Sequence, residues 1–340
     1  MKSLRQYILL LLAVCIGLSV YIPRRYQVPY PRDIRPQFDP YVRKTFIQKL
    51  DTEQPEIALL GDSMLGPAVD GNRMTEELNK KTTLFGFPGT ASTIWYLIFK
   101  NNFMVAEHKP KYIAIFFRDT MMTLPEYRVT GKYFDLVDEF ASPKDADLIK
   151  KAYLNQMTPL EKLAEGYFPI YSSRWQIRET IDYYLRYYLS TKFLDCDKDC
   201  MEGSLDTVFD ENNMDILFLG NAIAEADDYL YKGDALDFDK RVGKSFLPEM
   251  IQLCKENDVQ LILVRMRILR YIGSQPKPPG FDKYFEDLRT YLEKNGVIYL
   301  DYAGEEQLTP KYFTDSLHLN EAGKAVFTGM FIEDLTKYLK

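Results

Sequence analysis

Histidine is almost missing from this chain: 340 residues contain two, His108 and His318. Cysteine is scarce as well, at four residues (Cys15, Cys196, Cys200 and Cys254) with no CxxC pair, and no HExxH run occurs. Zinc sites are built from those patterns, so no metal is expected, and no other cofactor either. Basic charge is also short, with 43 Lys and Arg facing 49 Asp and Glu for a net charge of -6 and no basic stripe. Nucleic-acid affinity comes mainly from Lys and Arg neutralising phosphates, so nucleic acid is set aside as a partner. Whatever chemistry exists must use few histidines. What the chain does contain is an ordinary globular mixture, 46% hydrophobic and 27% charged, which rules out a disordered or fibrous chain. Aromatics are abundant, at 25 Tyr and 21 Phe. The length suits one large α/β domain with an insertion, or two small domains.

Lys2 and Arg5 precede sixteen uncharged residues, Tyr7 to Ile22, which is the layout of an export signal. A cleaved signal ends in small residues, whereas this run passes straight into Pro23-Arg24-Arg25. An uncleaved membrane anchor over 1–22 is therefore expected. Sixteen residues rise about 24 Å as a helix against a hydrocarbon core of about 30 Å, a gap that Leu4, flanking aromatics and snorkelling basic side chains cover. Val14 is a poor residue before a lipidated Cys15, and the apolar run continues past it, which argues against a lipoprotein. Basic residues flank the run on both sides. Orientation then rests on the short N-terminal tail and on export logic, which place the body on the periplasmic or extracellular side of the cell membrane.

Five prolines and four arginines between Pro23 and Pro40 read as an extended stalk over 23–40, about 55 Å at full reach. The same arginines could instead lay the segment down on anionic headgroups. Residues 1–22 hold two basic and no acidic groups, so the exported body carries -8. In an oxidising compartment Cys196 and Cys200 would close a small disulfide loop, the alternative being two free thiols. Asp195, Asp197 and Asp199 are spaced like the start of a calcium loop. Against that reading, Cys200 stands where such a loop needs Gly, and Asp206 where it needs Glu.

Short apolar runs bounded by polar residues mark buried parallel strands at 56–61, 83–86, 111–117, 259–264 and 297–300. Helical patterns alternate with them at 72–81, 92–107, 246–257 and 281–295, and 320–339 closes the chain as a helix. Such alternation predicts an α/β fold over 41–340, a doubly wound parallel five-stranded sheet of flavodoxin-like type with right-handed crossovers. Residues 121–245 break the rhythm of short connections and read as a large, mainly helical insertion without a βαβ pattern or repeat of its own. Inside it 173–190 is expected to be helical, pairing Tyr183 with Tyr187 and Tyr184 with Tyr188. These tyrosines read either as packing or as a platform for sugar rings. Downstream, Asp195 to Asp239 holds fourteen acidic and two basic residues.

The first strand runs into Gly61-Asp62-Ser63-Met64, which puts a serine just past the C-terminal end of a central strand, where open α/β sheets bind ligands. A serine hydroxyl is a weak nucleophile until a base takes its proton. His318 lies in Asp315-Ser316-Leu317-His318, between the fifth strand and the last helix, at the same edge of the sheet. Asp315 is three residues earlier, in reach of the other ring nitrogen. Each residue also has a plainer reading: Ser63 as a helix cap, His318 as a surface histidine, and Gly89 as a turn glycine needing positive φ. His108, before Lys109-Pro110, reads as a partner of the dipole at the end of the helix over 92–107. Arg265, Arg267 and Arg270 follow the fourth strand. They read equally as a grip on an anionic polymer or as partners of the acidic insertion.

Gly61-Asp62-Ser63, the Gly86-x-x-Gly89-Thr90 turn after the second strand, and Asp315-x-x-His318 after the fifth resemble, in order and spacing, the blocks of the SGNH/GDSL hydrolase superfamily. The resemblance covers the sheet and its helices but not the insertion. It implies Ser63 as nucleophile, His318 as general base and then acid, and Asp315 as the orienting carboxylate. The Ser63 and Gly89 backbone N–H groups would stabilise the oxyanion, and Asp62 is expected with Gly89 and Arg118 among the oxyanion- or substrate-binding residues. One block departs from the family pattern: after the third strand Phe117-Arg118-Asp119-Thr120 replaces Gly-x-Asn-Asp, so the oxyanion-binding Asn is missing and Arg118 is the candidate for a charged donor instead.

With its N-terminal anchor, the chain looks like the envelope branch of that superfamily. Members of the branch transfer or remove acyl groups on cell-surface polymers, often beside a membrane-bound O-acyltransferase. The expectation is a membrane-anchored O-acyl, chiefly O-acetyl, esterase or transferase with a carbohydrate polymer as substrate. Two other readings stay open, a non-catalytic polysaccharide-binding or assembly protein on a degenerate fold, and a lipase or phospholipase.

Overall fold

The computed structural model describes residues 2–27, 30–31, 40–129, 136–137, 140–152, 157–208, 228–231, 233–270 and 276–339. Much of the expected stalk and residues 209–227 of the acidic stretch lie outside the described residues. Strands form where the apolar runs are: β1 (Ile57–Gly61), β2 (Thr82–Gly86), β3 (Tyr112–Phe117), β4 (Gln260–Arg265) and β5 (Ile298–Asp301). All pair parallel, in the order β2-β1-β3-β4-β5, with Ile57 opposite both Thr82 and Tyr112. The fold is the doubly wound α/β sheet that the alternation implied. The strand order reverses between β1 and β3, and the crevice outside the strand ends at such a switch is where this architecture binds ligands.

β1 and β3 are buried at every position, because helices cover both faces and neither alternate residue meets water. On one face Ile57, Leu59, Ala114, Phe116, Ile262 and Val264 share a cluster with Phe327, Phe331 and Leu335 of the helix Glu321–Thr336. The Phe116 ring meets Phe331 edge-on at 5.2 Å. The alternate residues Ala58, Leu60, Ile113, Ile115, Leu261 and Leu263 are equally buried. The helix Leu247–Glu256 packs on β4, and Ser92–Ile98 is buried along its whole length.

Helix ends differ from the sequence pattern for local reasons. Asp70 caps Gly71–Leu78 by accepting from the Asn72 and Arg73 N–H groups, and Asn79 stops that helix in the left-handed region, φ 49°. The helix expected over 92–107 changes to π geometry over Phe99–Phe103 and stops there. His108 therefore does not sit at a helix end; its backbone N–H donates to Asp51 Oδ1 at 3.1 Å.

The chain divides into two compact units, one made of Gln37–Asp145 with Asp215–Lys340 and the other of Met1–Pro36 with Ala146–Met214. The stretch 121–245 is shared between them: its two ends go with the sheet and its middle goes with the N-terminal residues. In this second unit the apolar helix runs Lys2–Tyr26, with Pro23 in its last turn, so the first four residues of the expected stalk are helical. The Tyr26 hydroxyl pairs with Thr180 Oγ1 at 2.8 Å, and Tyr30 pairs with the Ser172 hydroxyl. Thr158 and Glu161 form a capping box on the helix Pro159–Tyr167. Arg174–Tyr183 continues through a π segment, Tyr184–Tyr188, into Leu189–Leu194. Tyr183 meets Tyr187 at 5.4 Å and Tyr184 meets Tyr188 at 5.3 Å between ring centroids. Cys196 and Cys200 form a disulfide, with their Cα atoms 5.3 Å apart.

Candidate active site

Ser63 follows β1 directly, in the turn that leads to the short helix Leu65–Ala68. Asp62 holds that turn: it is 5% exposed, and its Oδ1 accepts the Met64 N–H at 2.9 Å. Ser63 does not cap the helix, because the residue before it is Met64 and no side-chain cap bond forms. Gly61 allows a close approach here, since a Cβ would stand 3.1 Å from Leu65 Cβ and 3.2 Å from Phe116 Cβ.

The histidine loop is fastened at both ends. Phe313 and Leu319 form an antiparallel bridge, the Thr314 N–H donates to the His318 carbonyl at 2.9 Å, and the Leu269 N–H donates to the Ser316 carbonyl at 2.8 Å. Asn320 then caps the last helix by accepting the Gly323 N–H. Position 323 must be glycine, because a Cβ would fall 2.3 Å from the Tyr312 carbonyl oxygen. Inside this clamp Asp315 Oδ1 accepts the Leu317 N–H at 2.6 Å and the His318 N–H at 2.8 Å. Its Oδ2 lies 2.7 Å from His318 Nδ1, and His318 Nε2 lies 2.9 Å from Ser63 Oγ. Three residues from two ends of the chain thus meet in one line.

An ionised Asp315 accepts from Nδ1–H, which leaves Nε2 of the neutral ring free to accept from the serine hydroxyl. Burial pushes the Asp315 carboxyl up, but the bonds from the His318 ring and from the His318 and Leu317 N–H groups outweigh it and hold the carboxyl below its usual range. The bond to Asp315 raises the His318 pKa above its ordinary value, assisted by the Asp62 charge and opposed by burial and by Arg118.

Arg118 and Asp119 follow β3 across the crevice. They form a buried ion pair at 2.8 Å, 1% and 4% exposed. Asp119 takes φ +50°, a conformation non-glycine residues adopt sparingly and that tends to occur at functional edges. The segment returning from the insertion closes over this pair: Thr120 Oγ1 donates to the Leu230 carbonyl at 2.6 Å. Burial, with the nearby Asp119 charge, drives the pKa of the Tyr231 hydroxyl far above the usual phenol value. Tyr231 carries no local sequence signal, since it lies more than a hundred residues from Asp119.

Gly89 lies in the turn after β2 with φ +79°. The Thr90 N–H and hydroxyl both reach back to the Phe87 carbonyl, and the Trp95 indole N–H donates to Thr90 Oγ1. The three arginines at and beyond the end of β4 each have a partner. Arg265 pairs with Asp301, Arg267 donates to the Glu305 carbonyl, and Arg270 pairs with Asp228 of the acidic stretch. They line a cavity of about 630 Å³ together with Lys277, Arg289 and Asp119 at the same end of the sheet. No cluster of His, Cys, Asp and Glu able to hold a metal occurs among the described residues.

A serine, histidine and aspartate in hydrogen-bonded sequence at the ligand-binding edge of a parallel α/β sheet is the class of site that fold and geometry define. No protein-family model matches the chain, and no curated protein is similar to it in sequence. Among solved structures, a protein assigned as an acylhydrolase from Bacteroides fragilis is 14% identical, with 87% of this chain and 97% of that one covered and a TM-score of 0.40. A GDSL-like lipase from Bacteroides thetaiotaomicron is 11% identical over 87% of this chain and 98% of that one, with a TM-score of 0.39.

Proposed function

We propose that the protein is a serine acyl hydrolase or acyltransferase of SGNH/GDSL type, anchored by its N-terminal helix with its body outside the cytoplasm. Its substrates on this reading are O-acyl, chiefly O-acetyl, esters of an envelope or exported polysaccharide. The observation that carries the chemistry is the contact chain from Ser63 Oγ through His318 to Asp315, at 2.9 and 2.7 Å. Ser63 attacks the ester carbonyl while His318 Nε2 takes its proton, and Asp315 supports the imidazolium that forms. The protonated ring then gives its proton to the leaving alcohol, leaving an acyl-serine. Water or a sugar hydroxyl resolves that intermediate, with His318 again as base.

The Ser63 and Gly89 backbone N–H groups are the proposed oxyanion donors, each contributing about 3 kcal/mol to the transition state in sites of this kind. Arg118 is tied up with Asp119. In this reading it supplies positive field beside the site in place of the amide of the missing Asn. The Cys196–Cys200 disulfide and the apolar helix Leu4–Tyr26 support an exported, anchored chain. The abundance of tyrosine, 25 residues, favours carbohydrate over lipid as substrate, and a membrane-bound O-acyltransferase is the expected neighbour and acyl source.

Incubating the full chain with an activated acetyl ester and measuring intact mass tests this. A single acetyl adduct is expected on the wild type and none on Ser63→Ala. No adduct or turnover with any acyl donor, while polymer binding survives Ser63→Ala and His318→Ala, would establish the non-catalytic binding reading instead. A strong preference for long-chain esters would establish a lipase.

A further inference from the structure

Large apolar side chains exposed outside the anchor helix are concentrated in one place. Of the fourteen that stand exposed beyond Tyr26 among the described residues, eleven fall between Leu160 and Leu194, and seven of those lie on the single helical run from Arg174 to Leu194. Leu185 is 62% exposed, Phe193 71% and Leu194 72%. Surfaces facing water scatter such residues singly, and a concentration of them marks a face that something covers.

The anchor helix says what covers it. The apolar run ends at Ile22, and Tyr26 lies four residues further, about 6 Å along the helix axis. The headgroup layer on each side of the hydrocarbon core is about 5–7 Å deep. Tyr26 therefore stands at headgroup depth when the run spans the bilayer. Its hydroxyl pairs with Thr180 Oγ1 at 2.8 Å and donates to the Gln176 carbonyl at 3.3 Å. Tyr30 adds bonds to the Ser172 and Ser173 hydroxyls. The helix Arg174–Tyr183 is thus fastened to the anchor where the anchor leaves the hydrocarbon.

Its composition suits that depth. Tyr183, Tyr184, Tyr187 and Tyr188 are amphipathic rings of the kind that gather at membrane interfaces. The run from Met157 to Leu194 holds five basic and four acidic residues in a chain that is otherwise acidic, so it does not repel anionic lipid.

We propose that the helical run Arg174–Leu194 lies in the headgroup layer of the same bilayer that the anchor spans, making the middle of the insertion a lipid-binding surface. Ile181, Tyr184, Leu185, Tyr188, Phe193 and Leu194 enter the boundary between headgroups and acyl chains, and Arg186 and Lys192 meet phosphates. The inference rests on the anchored reading above and adds a second, peripheral membrane contact to it.

The full chain, reconstituted into phosphatidylcholine–phosphatidylglycerol vesicles doped with a diazirine phospholipid, is irradiated, digested and mapped by mass spectrometry. Lipid adducts are expected on the peptides covering 181–194 as well as on the anchor helix, severalfold above the peptide holding the exposed Tyr338. The double variant Leu185→Glu with Phe193→Glu, at exposed positions that leave the helix content unchanged by circular dichroism, should lose the adducts on 181–194 and keep those on the anchor. Adducts on the anchor alone would overturn the proposal. So would chain-to-chain cross-links at 181–194 in place of lipid, which would assign the face to a second copy. Absence of adducts on the anchor itself would refute the anchored reading, and this inference with it.

Discussion

Replacing Asp315 by Asn removes one charge and turns around one hydrogen bond while changing little else. Asp315 Oδ1 accepts the Leu317 and His318 backbone N–H groups, and an Asn oxygen placed there keeps both, so the loop between β5 and the last helix holds its shape. The other position then carries an NH2 group 2.7 Å from His318 Nδ1. An amide donor needs an acceptor, so the neutral ring moves its proton to Nε2, the nitrogen that faces Ser63 Oγ at 2.9 Å. With that nitrogen protonated, the proposed nucleophile Ser63 has no base. A wrong tautomer of this kind costs about 10^4 in kcat, or about 5.5 kcal/mol of barrier. Loss of one hydrogen bond between charged partners costs the fold only about 1.5–3 kcal/mol. The assay is hydrolysis of an activated acetyl ester by wild type and Asp315→Asn, with thermal melts to verify folding. With two histidines in the chain, nitrogen NMR can read the His318 tautomer directly. A variant that keeps its fold, shows the proton on Nε2 and still turns over at the wild-type rate would refute the role assigned to His318.

The same residues set a pH dependence. On the proposed mechanism activity needs neutral His318, whose pKa is raised by Asp315 above the ordinary 6.5, so kcat/KM should climb with pH through a midpoint above 6.5; a midpoint below it would contradict the bond to Asp315. For stability the signs are opposite. His318 contributes fully below 6.5 and loses its contribution as pH rises through its folded value, whereas Asp315 contributes above 3.8 and loses its share as pH falls through its lowered folded value. Denaturant titrations of wild type and His318→Gln at several pH values separate the two. Gly89→Ala forces a Cβ into the left-handed region, φ +79°, and should cost about 1–2 kcal/mol together with a fall in kcat, both read from melts and ester turnover. Reducing the Cys196–Cys200 loop should destabilise the unit around it by about 2 kcal/mol, seen as a lower melting transition with reductant and none of that shift in Cys196→Ser with Cys200→Ser.

All five strands were legible to within a residue or two; β1 and β3, buried at every position, show why, because a strand buried on both faces needs an unbroken apolar run, and such runs are conspicuous between polar neighbours. Ser63, Asp315 and His318 were legible for a related reason. Gly61-Asp62-Ser63 and Asp315-x-x-His318 are each complete within a few residues, and both fall directly after strands. His108 was misplaced because helical periodicity continues past Phe103, while the backbone there has already changed to π geometry and ended. Arg118 was found by its position after β3. Its pairing with its neighbour Asp119 and the approach of Tyr231 to that carboxylate were not, since the returning chain brings Tyr231 from more than a hundred residues away.

Legible in the linear chain were the positions of the strands, the loops that follow them where polar chemistry collects, the scarcity of histidine that singles out His318, and the apolar N-terminal run. Those are local properties, carried by composition and by spacings shorter than a helix. The tertiary structure alone decided that Ser63 and His318, 255 positions apart, stand at hydrogen-bond distance, and that the middle of the insertion packs with residues 1–36 as one unit. It also decided that Tyr26 fastens the tyrosine-rich helix to the anchor. Each of these is a pairing of distant segments, and such pairings depend on which faces close against each other once the core is buried.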